Sequence, residues 1–140
     1  MILPDVNVLV YAFRADSADH NRYRAWLDGV VNGPSLYAMA PQVLASVVRI
    51  CSNSRVYLQP TPTADLLAFA DLLLSQPNCR QVTPGAGHWR MYSDLCRKSN
   101  AAGNLTQDAW FAALAIEQGC EWVTSDRDFG WFAGLRWTLL

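Results

Sequence analysis

Ile2-Leu3-Pro4-Asp5-Val6-Asn7-Val8-Leu9-Val10-Tyr11 sets one carboxylate inside a run that is otherwise almost wholly apolar. An ionised carboxylate in an apolar setting raises its pKa and neutralises unless it finds a cation, a set of hydrogen-bond donors or an opening to solvent. Residues 2–6 do not alternate polar with apolar, so they read as a strand buried on both faces, followed by a short helix from Asn7 to Phe13. Asp5 then falls at the carboxyl end of a buried strand, and the rest of the chain has to supply what stabilises it there.

The remaining elements follow outward from this start. Ser17-Ala18-Asp19-His20 offers cap residues for a second helix reaching Val31, in which Tyr23, Trp26, Leu27, Val30 and Val31 keep the helical period; Asn32-Gly33-Pro34 ends it. Leu36–Ala40 reads as a second strand, and Pro41 as the first residue of a third helix ending at Cys51. Gln59-Pro60-Thr61-Pro62-Thr63 is a stiff connector, and Thr63 is positioned to cap a helix from Ala64 to Gln76 with Leu66, Leu67, Ala70, Leu73 and Leu74 on one stripe. A weak strand over Cys79–Thr83 leads through Pro84-Gly85 to a helix from His88 to Ser99. Thr106 or Asn104 then caps a helix running to Gln118. Glu121–Ser125 is a fourth strand, Gly130–Gly134 a short turn, and Leu135–Leu139 a last strand. Strands alternating with helices imply an α/β fold: one domain over residues 1–140, its sheet mostly parallel with helices on both faces.

Such sheets place their sites outside the carboxyl ends of the strands. Asp126 lies at that end of the fourth strand, as Asp5 does in the first, so the two meet if those strands are neighbours. Asp108 is the other informative acid, because helical periodicity puts it among Phe111, Ala112 and Ala115 and away from Thr106, Gln107, Glu117 and Gln118. A plainer reading of Asp108, as a first-turn acid complementing the helix dipole, stays open. Two carboxylates 4 Å apart repel by roughly 4 kcal/mol at an effective dielectric near 20. Three acids therefore call for a positive centre. With no His or Cys at ligand spacing, an all-oxygen set favours Mg²⁺, or Mn²⁺, over zinc. Ions of this kind lower the pKa of a bound water and neutralise phosphate during in-line attack.

Composition narrows the class without choosing a substrate. The chain has 140 residues, 51% of them hydrophobic, and no unbroken apolar run long enough for a membrane span. Its start lacks the pattern of a secretion signal, and Cys51, Cys79, Cys96 and Cys120 are too scattered for a zinc site, so a cytoplasmic protein with reduced cysteines is expected. A net charge of −1 gives no general attraction to nucleic acid. The cationic residues are nearly all arginine, Lys98 being the one lysine. Arg14, Arg49 and Arg55 fall near the expected carboxyl-end rim or the helix after it, where phosphate could pass, with solvated surface arginine as the alternative. His20 and His88 sit by helix starts and read as cap or surface groups. Trp89, Trp110, Trp131 and Trp137 read as core or dimer contacts more than as base-stacking platforms.

P-D-V-N-V-L-V-Y-A from Pro4, D-H-x-R-x-x-x-W-L from Asp19, G-N-L-T-Q-D-A-W-F-A-A-L-A-I-E-Q-G-C-E from Gly103, and V-T-S-D-R-D-F from Val123 with G-L-R-W from Gly134 together resemble PIN-domain ribonucleases of the VapC toxin type. The resemblance runs the length of the chain. It implies a PIN-like domain with a four- or five-stranded sheet and a Mg²⁺-dependent endoribonuclease toxin acting on structured RNA, of the transfer or ribosomal class. Its products would carry a 5′ phosphate and a 3′ hydroxyl. It also implies a homodimer and a VapB-like antitoxin. Carried over by residue, Asp5 is the first acid, Asp108 the third and Asp126 the fourth, with Asp128 as an auxiliary metal ligand, and Asn7 matches the Thr, Ser or Asn that supports the first acid.

The chain departs from that pattern at the second acid. The family places a Glu early in the helix after the second strand, where Ser46 stands here, and no Asp or Glu occurs anywhere between Gly29 and Ala64. A hydroxyl can support a metal-bound water but brings no charge, so weaker metal affinity and one ion in place of two are expected. The gap also sustains a second reading, a catalytically silent PIN domain that binds antitoxin or RNA without cutting. A haloacid-dehalogenase-like phosphatase would need Asp where Asn7 stands and a lysine placed better than Lys98.

Overall fold

In the computed structural model, which describes residues 1–140, five strands form one wholly parallel sheet in the order β3-β2-β1-β4-β5. Along the chain these are β1 (Ile2–Pro4), β2 (Tyr37–Met39), β3 (Cys79–Gln81), β4 (Glu121–Thr124) and β5 (Trp137–Leu139). The helices are α1 (Val6–Phe13), α2 (His20–Val31), α3 (Pro41–Cys51), α4 (Thr63–Ser75), α5 (His88–Ser99) and α6 (Asn104–Glu117), and a 3₁₀ turn spans Arg127–Trp131. The expected turn at Gly130–Gly134 is present, opening in this 3₁₀ turn and closing through residues 132–134, and the last strand begins two residues later than its apolar run suggests.

β1 is central, and it stops early for a reason visible in its sequence. Pro4 has no N–H to donate, and it occupies a strand flanked on both sides. The Asp5 N–H donates to Val123 O on the β4 side, at 2.8 Å. Alternation along the strand then puts the missing donor of Pro4 toward β2, and pairing on that side is confined to Ile2 with Tyr37. On the other side Ile2, Leu3 and Pro4 pair with Glu121, Trp122 and Val123. The strand therefore ends one residue before Asp5, and α1 starts at once, with Asp5 extended at its N-cap (φ −70°, ψ 157°) and its carbonyl accepting from the Leu9 N–H.

The core is the two faces of this sheet. Leu3, Tyr37, Ala38, Met39 and Trp122 are fully buried between helices, with Val8, Leu9 and Ala12 of α1, Val43 and Val47 of α3, and Phe111, Leu114 and Ala115 of α6 packed against them. Small residues at 109, 112, 113 and 115 let α6 lie close, as the run of alanines implies. Two stripe assignments change. Leu67 is half exposed although it neighbours the buried Leu66, Ala70 and Leu73 of α4. Thr63 lies inside α4, with Pro62 at its N-cap position.

Long-range polar ties fix the loops. The Glu117 carboxylate, at the end of α6, accepts from the backbone N–H groups of Gly85 and Gly87 at 2.8 and 3.1 Å and closes the β3–α5 loop. A Cβ at Gly85 would stand 2.8 Å from Glu117 Oε1, so any larger residue there would displace this carboxylate from its present place. All four cysteines are free, Cys51 and Cys120 being buried. No helix is long and apolar enough to cross a membrane.

Candidate active site

The carboxyl ends of β1 and β4, the amino-terminal half of α6 and one face of α3 enclose a cleft of about 280 Å³. Its polar lining is Asp5, Asn7, Ser46, Arg49, Asn104, Gln107, Asp108 and Asp126, with Phe111 and Phe129 buried at its base. The three acids singled out from the sequence are therefore drawn together, and the adjacency of β1 and β4 is what brings Asp5 to Asp126. Asp108 reaches the cleft along α6 with Asn104, Gln107 and Phe111, at the i, i+3, i+4 and i+7 positions of one face. Because α6 begins at Asn104, Asp108 stands in the second turn, and the helix-dipole reading of it falls. Neither Asn104 nor Thr106 caps the helix. Gly103 holds the N-cap position with φ +59°, and Thr106 Oγ1 donates to its carbonyl at 2.7 Å.

Asp5 is 5% exposed. Burial pushes its carboxyl up; the Thr124 hydroxyl and the Val6 N–H pull it down, the charges of Asp108 and Asp126 raise it again, and the balance lies at about 6. Asp108 also rises to about 6, first from burial and then from the charges of Asp126 and Asp128. None of the three acids has a basic partner: the ion pairs of the chain are Arg14–Asp16, Arg24–Asp28 and Arg97–Asp94. As placed, no group of three or more acidic, His or Cys side chains could hold a metal ion among them, so the carboxylates line the cleft without closing on a common point.

Thr124 is the site residue that sequence reasoning missed. Its Oγ1 donates to Asp5 Oδ2 at 2.5 Å and accepts from the Asp126 N–H at 3.0 Å. One buried hydroxyl thus links two acids that follow neighbouring strands. Asp126 Oδ1 in turn accepts from the Asp128 N–H at 2.8 Å. One oxygen of Asp5 and one of Asp126 are therefore held by donors of the chain itself. The signal was present as Thr124-Ser125-Asp126 at a strand end, where a hydroxyl two residues before an acid can cap the turn.

The other candidates separate clearly. Asn7 and Ser46 line the cleft; the Ser46 hydroxyl donates to Gln42 O one turn back at 2.9 Å. Arg49 lines the cleft, exposed and unpaired. Asp128 lies exposed outside it, in the 3₁₀ turn. Arg55 is exposed in the loop after α3 and is not brought to the cleft.

Arg14 is a correction. It is 8% exposed, pairs with Asp16 at 2.6 Å, donates to Gln59 O and Thr61 Oγ1, and stacks on Tyr57 with its guanidinium carbon 3.7 Å from the ring centroid. It anchors the proline-rich connector to the end of α1, with four of its five N–H donors engaged within the chain. His88 is a second correction, being 2% exposed beneath α5 and bonded through Nε2 to Trp110 O at 3.0 Å, which makes it a core group. His20 keeps the structural role expected, with Nδ1 bonded to Tyr11 O at 2.8 Å across the start of α2. Trp89 and Trp131 are 68% and 63% exposed and so are not core residues, whereas Trp110 and Trp137 are partly buried.

A family model for the PIN domain matches residues 2–135. The chain belongs to the PIN domain family. Among curated relatives it is 39% identical over 137 residues to ribonuclease VapC43 of Mycobacterium tuberculosis, covering 98% of this chain and 93% of that protein. It is 37% identical to ribonuclease VapC25 of the same organism, covering 97% and 96%. Among solved structures, this PIN domain resembles a chain of VapBC2 from Rickettsia felis bound to a promoter DNA fragment, with a TM-score of 0.72, 20% identity and coverage of 100% and 99%. It also resembles VapC20 of Mycobacterium tuberculosis, a toxin that cleaves the sarcin-ricin loop, at a TM-score of 0.64, 20% identity and coverage of 97% and 99%. Membership in this family removes the phosphatase alternative.

Proposed function

We propose that this PIN domain is a metal-dependent endoribonuclease, the toxin of a toxin–antitoxin pair, cutting structured RNA of the transfer or ribosomal class and held in check by a VapB-like antitoxin. The observation that carries the reading is the meeting of Asp5, Asp108 and Asp126, from three separate elements, in one cleft with no basic group paired to them. Curated relatives named as VapC ribonucleases, matched over nearly their whole length, support it.

The donor set fits a hard divalent cation. It is all oxygen, it carries three negative charges, and two of its members are raised to about 6, as carboxylates are when no cation offsets their burial and mutual repulsion. Mg²⁺, or Mn²⁺, held by Asp5, Asp108 and Asp126 would supply charge neutralisation for the phosphate and a water of lowered pKa, with Asp128, outside the cleft, adding negative charge nearby as its effect on Asp108 indicates. Thr124 keeps Asp5 and Asp126 oriented through one hydroxyl. Asn7 and Ser46 offer uncharged polar groups at the margin, and Arg49 a guanidinium to a neighbouring phosphate. Phe111 and Phe129 close the base of the cleft against water. A homodimer in solution completes this reading.

The second reading, a silent PIN domain binding RNA or antitoxin, is favoured by Ser46, whose hydroxyl brings no charge to the place where the family carries Glu. The purified chain with Mg²⁺ or Mn²⁺ should cleave a structured RNA to products ending in 5′ phosphate and 3′ hydroxyl, and chelator or Asp108→Asn should stop it. No product at any metal concentration, with antitoxin still bound, would establish the silent module.

A further inference from the structure

The cleft carries a second set of side chains that the acids do not use. Asn104 and Gln107 lie on its α6 wall, exposed, and neither side chain makes a hydrogen bond within the chain. They sit one turn up the helix from Asp108 and Phe111, on the same face, with the Cβ atoms of such i, i+3 neighbours about 5–6 Å apart, so two carboxamides share one wall of the cleft. Arg49 faces them from α3, also exposed and unpaired.

We propose that Asn104 and Gln107 read the base of a single unpaired nucleotide at the cutting position, with Arg49 on an adjoining phosphate. The inference rests on the ribonuclease reading and names the substrate geometry of that same cleft. At about 280 Å³ the cleft lies at the small end of ligand sites and admits one nucleotide-sized group, far less than a duplex. A carboxamide presents a donor beside an acceptor, the pattern that pairs two-pronged with a base edge. In a helix of RNA those edges are engaged by the opposite strand, whereas unstacked loop nucleotides leave them free. The chemistry of the neighbours also favours amides as readers. A lysine or arginine at 104 or 107 would neutralise the acids it adjoins and compete with a metal, while a further carboxylate would add repulsion. The neutral amides do neither. The ligand is thus an unpaired nucleotide in a loop or bulge whose base offers a donor next to an acceptor.

The test uses a panel of hairpin RNAs that differ in one loop nucleotide, together with the same sequences annealed into duplex, incubated with the full chain and Mn²⁺. The expected result is a preference of at least about tenfold for one loop base and a comparable loss of cleavage in duplex. Asn104→Ala and Gln107→Ala should flatten that preference, and the double variant should abolish it. Mn²⁺ affinity by calorimetry should stay within about twofold of the parent in all three. Cleavage whose base preference is unchanged in the double variant, or which is as fast in duplex as in the loop, overturns the base-reading role and leaves the nuclease standing. If the parent chain neither binds Mn²⁺ nor cuts any RNA, the ribonuclease reading fails, and this inference with it. Both positions are exposed, so their substitution should leave the melting temperature unchanged.

Discussion

Replacing Asp5 by asparagine should make the metal-free protein more stable. In the folded chain the Asp5 carboxyl is raised from 3.8 to about 6, so near neutral pH the fold holds an ion it would sooner neutralise. Each pKa unit corresponds to about 1.4 kcal/mol, which bounds the penalty at about 3 kcal/mol. Asparagine mimics the protonated acid, keeps the shape and still accepts from Thr124 Oγ1, so a gain of about 1–3 kcal/mol is expected, or roughly 3–10 °C in Tm for a domain of this size. The pH dependence has a definite sign. An acid raised on folding contributes stability that is present below its unfolded value and lost as pH rises through its folded one. The parent should therefore gain on the variant as pH falls from 7 to 4, and the two should converge there. Mn²⁺ should reverse the order at pH 7, since a ligand at a thousand times its Kd adds about 4.1 kcal/mol to the parent and little to the variant. Thermal and urea unfolding in chelator and in Mn²⁺ measure all three. An Asp5→Asn protein that is less stable than the parent in chelator at pH 7, with a gap insensitive to acid, would refute the account of an unpaired buried ion.

Thr124→Val removes the hydroxyl that joins Asp5 to the Asp126 backbone, and two polar groups lose their partner. A loss of about 1–3 kcal/mol is expected, together with an alkaline shift in the acid limb of the pH–cleavage profile, both restored by Thr124→Ser. Arg14→Met should cost about 1–3 kcal/mol in urea unfolding, because Gln59 O and Thr61 lose their donor. RNA cleavage below the melting range should be unchanged, and a loss of cleavage at full stability would return Arg14 to the substrate surface. Ser46→Glu should tighten Mn²⁺ binding in calorimetry by about tenfold or more, whereas an unchanged affinity would remove Ser46 from the metal's reach.

The sheet and its site were legible because strand ends and helix faces follow from periodicity. Asp5 and Asp126 each lie at the end of an apolar strand, and Asp108 stands on the apolar face of α6; these placements needed only alternation and the helical repeat. What could not be read was partnership across space. That Thr124 bridges two acids depends on the register of β1 with β4, which no local pattern carries. Arg14 reads as a rim cation from its position after α1, yet the connector at Gln59–Thr61 folds back over it and, with Asp16, engages four of its five donors. His88 opens a helix, where polar groups are usually exposed, but α6 packs over it and offers the Trp110 carbonyl. Pro4 shows the converse. A proline in a central strand argues against a strand from sequence alone, and the sheet accepts it because pairing toward β2 has already ended.

The central claim is that Asp5, Asp108 and Asp126 hold the divalent cation with which this PIN domain cuts RNA. The rate of cleavage of a structured RNA, measured against Mn²⁺ concentration, tests it most directly. The account predicts no cleavage in chelator, a rate that saturates at the concentration where calorimetry shows the site filling, and no recovery at any concentration in Asp108→Asn. Cleavage at an undiminished rate in chelator, or by Asp108→Asn, would contradict it.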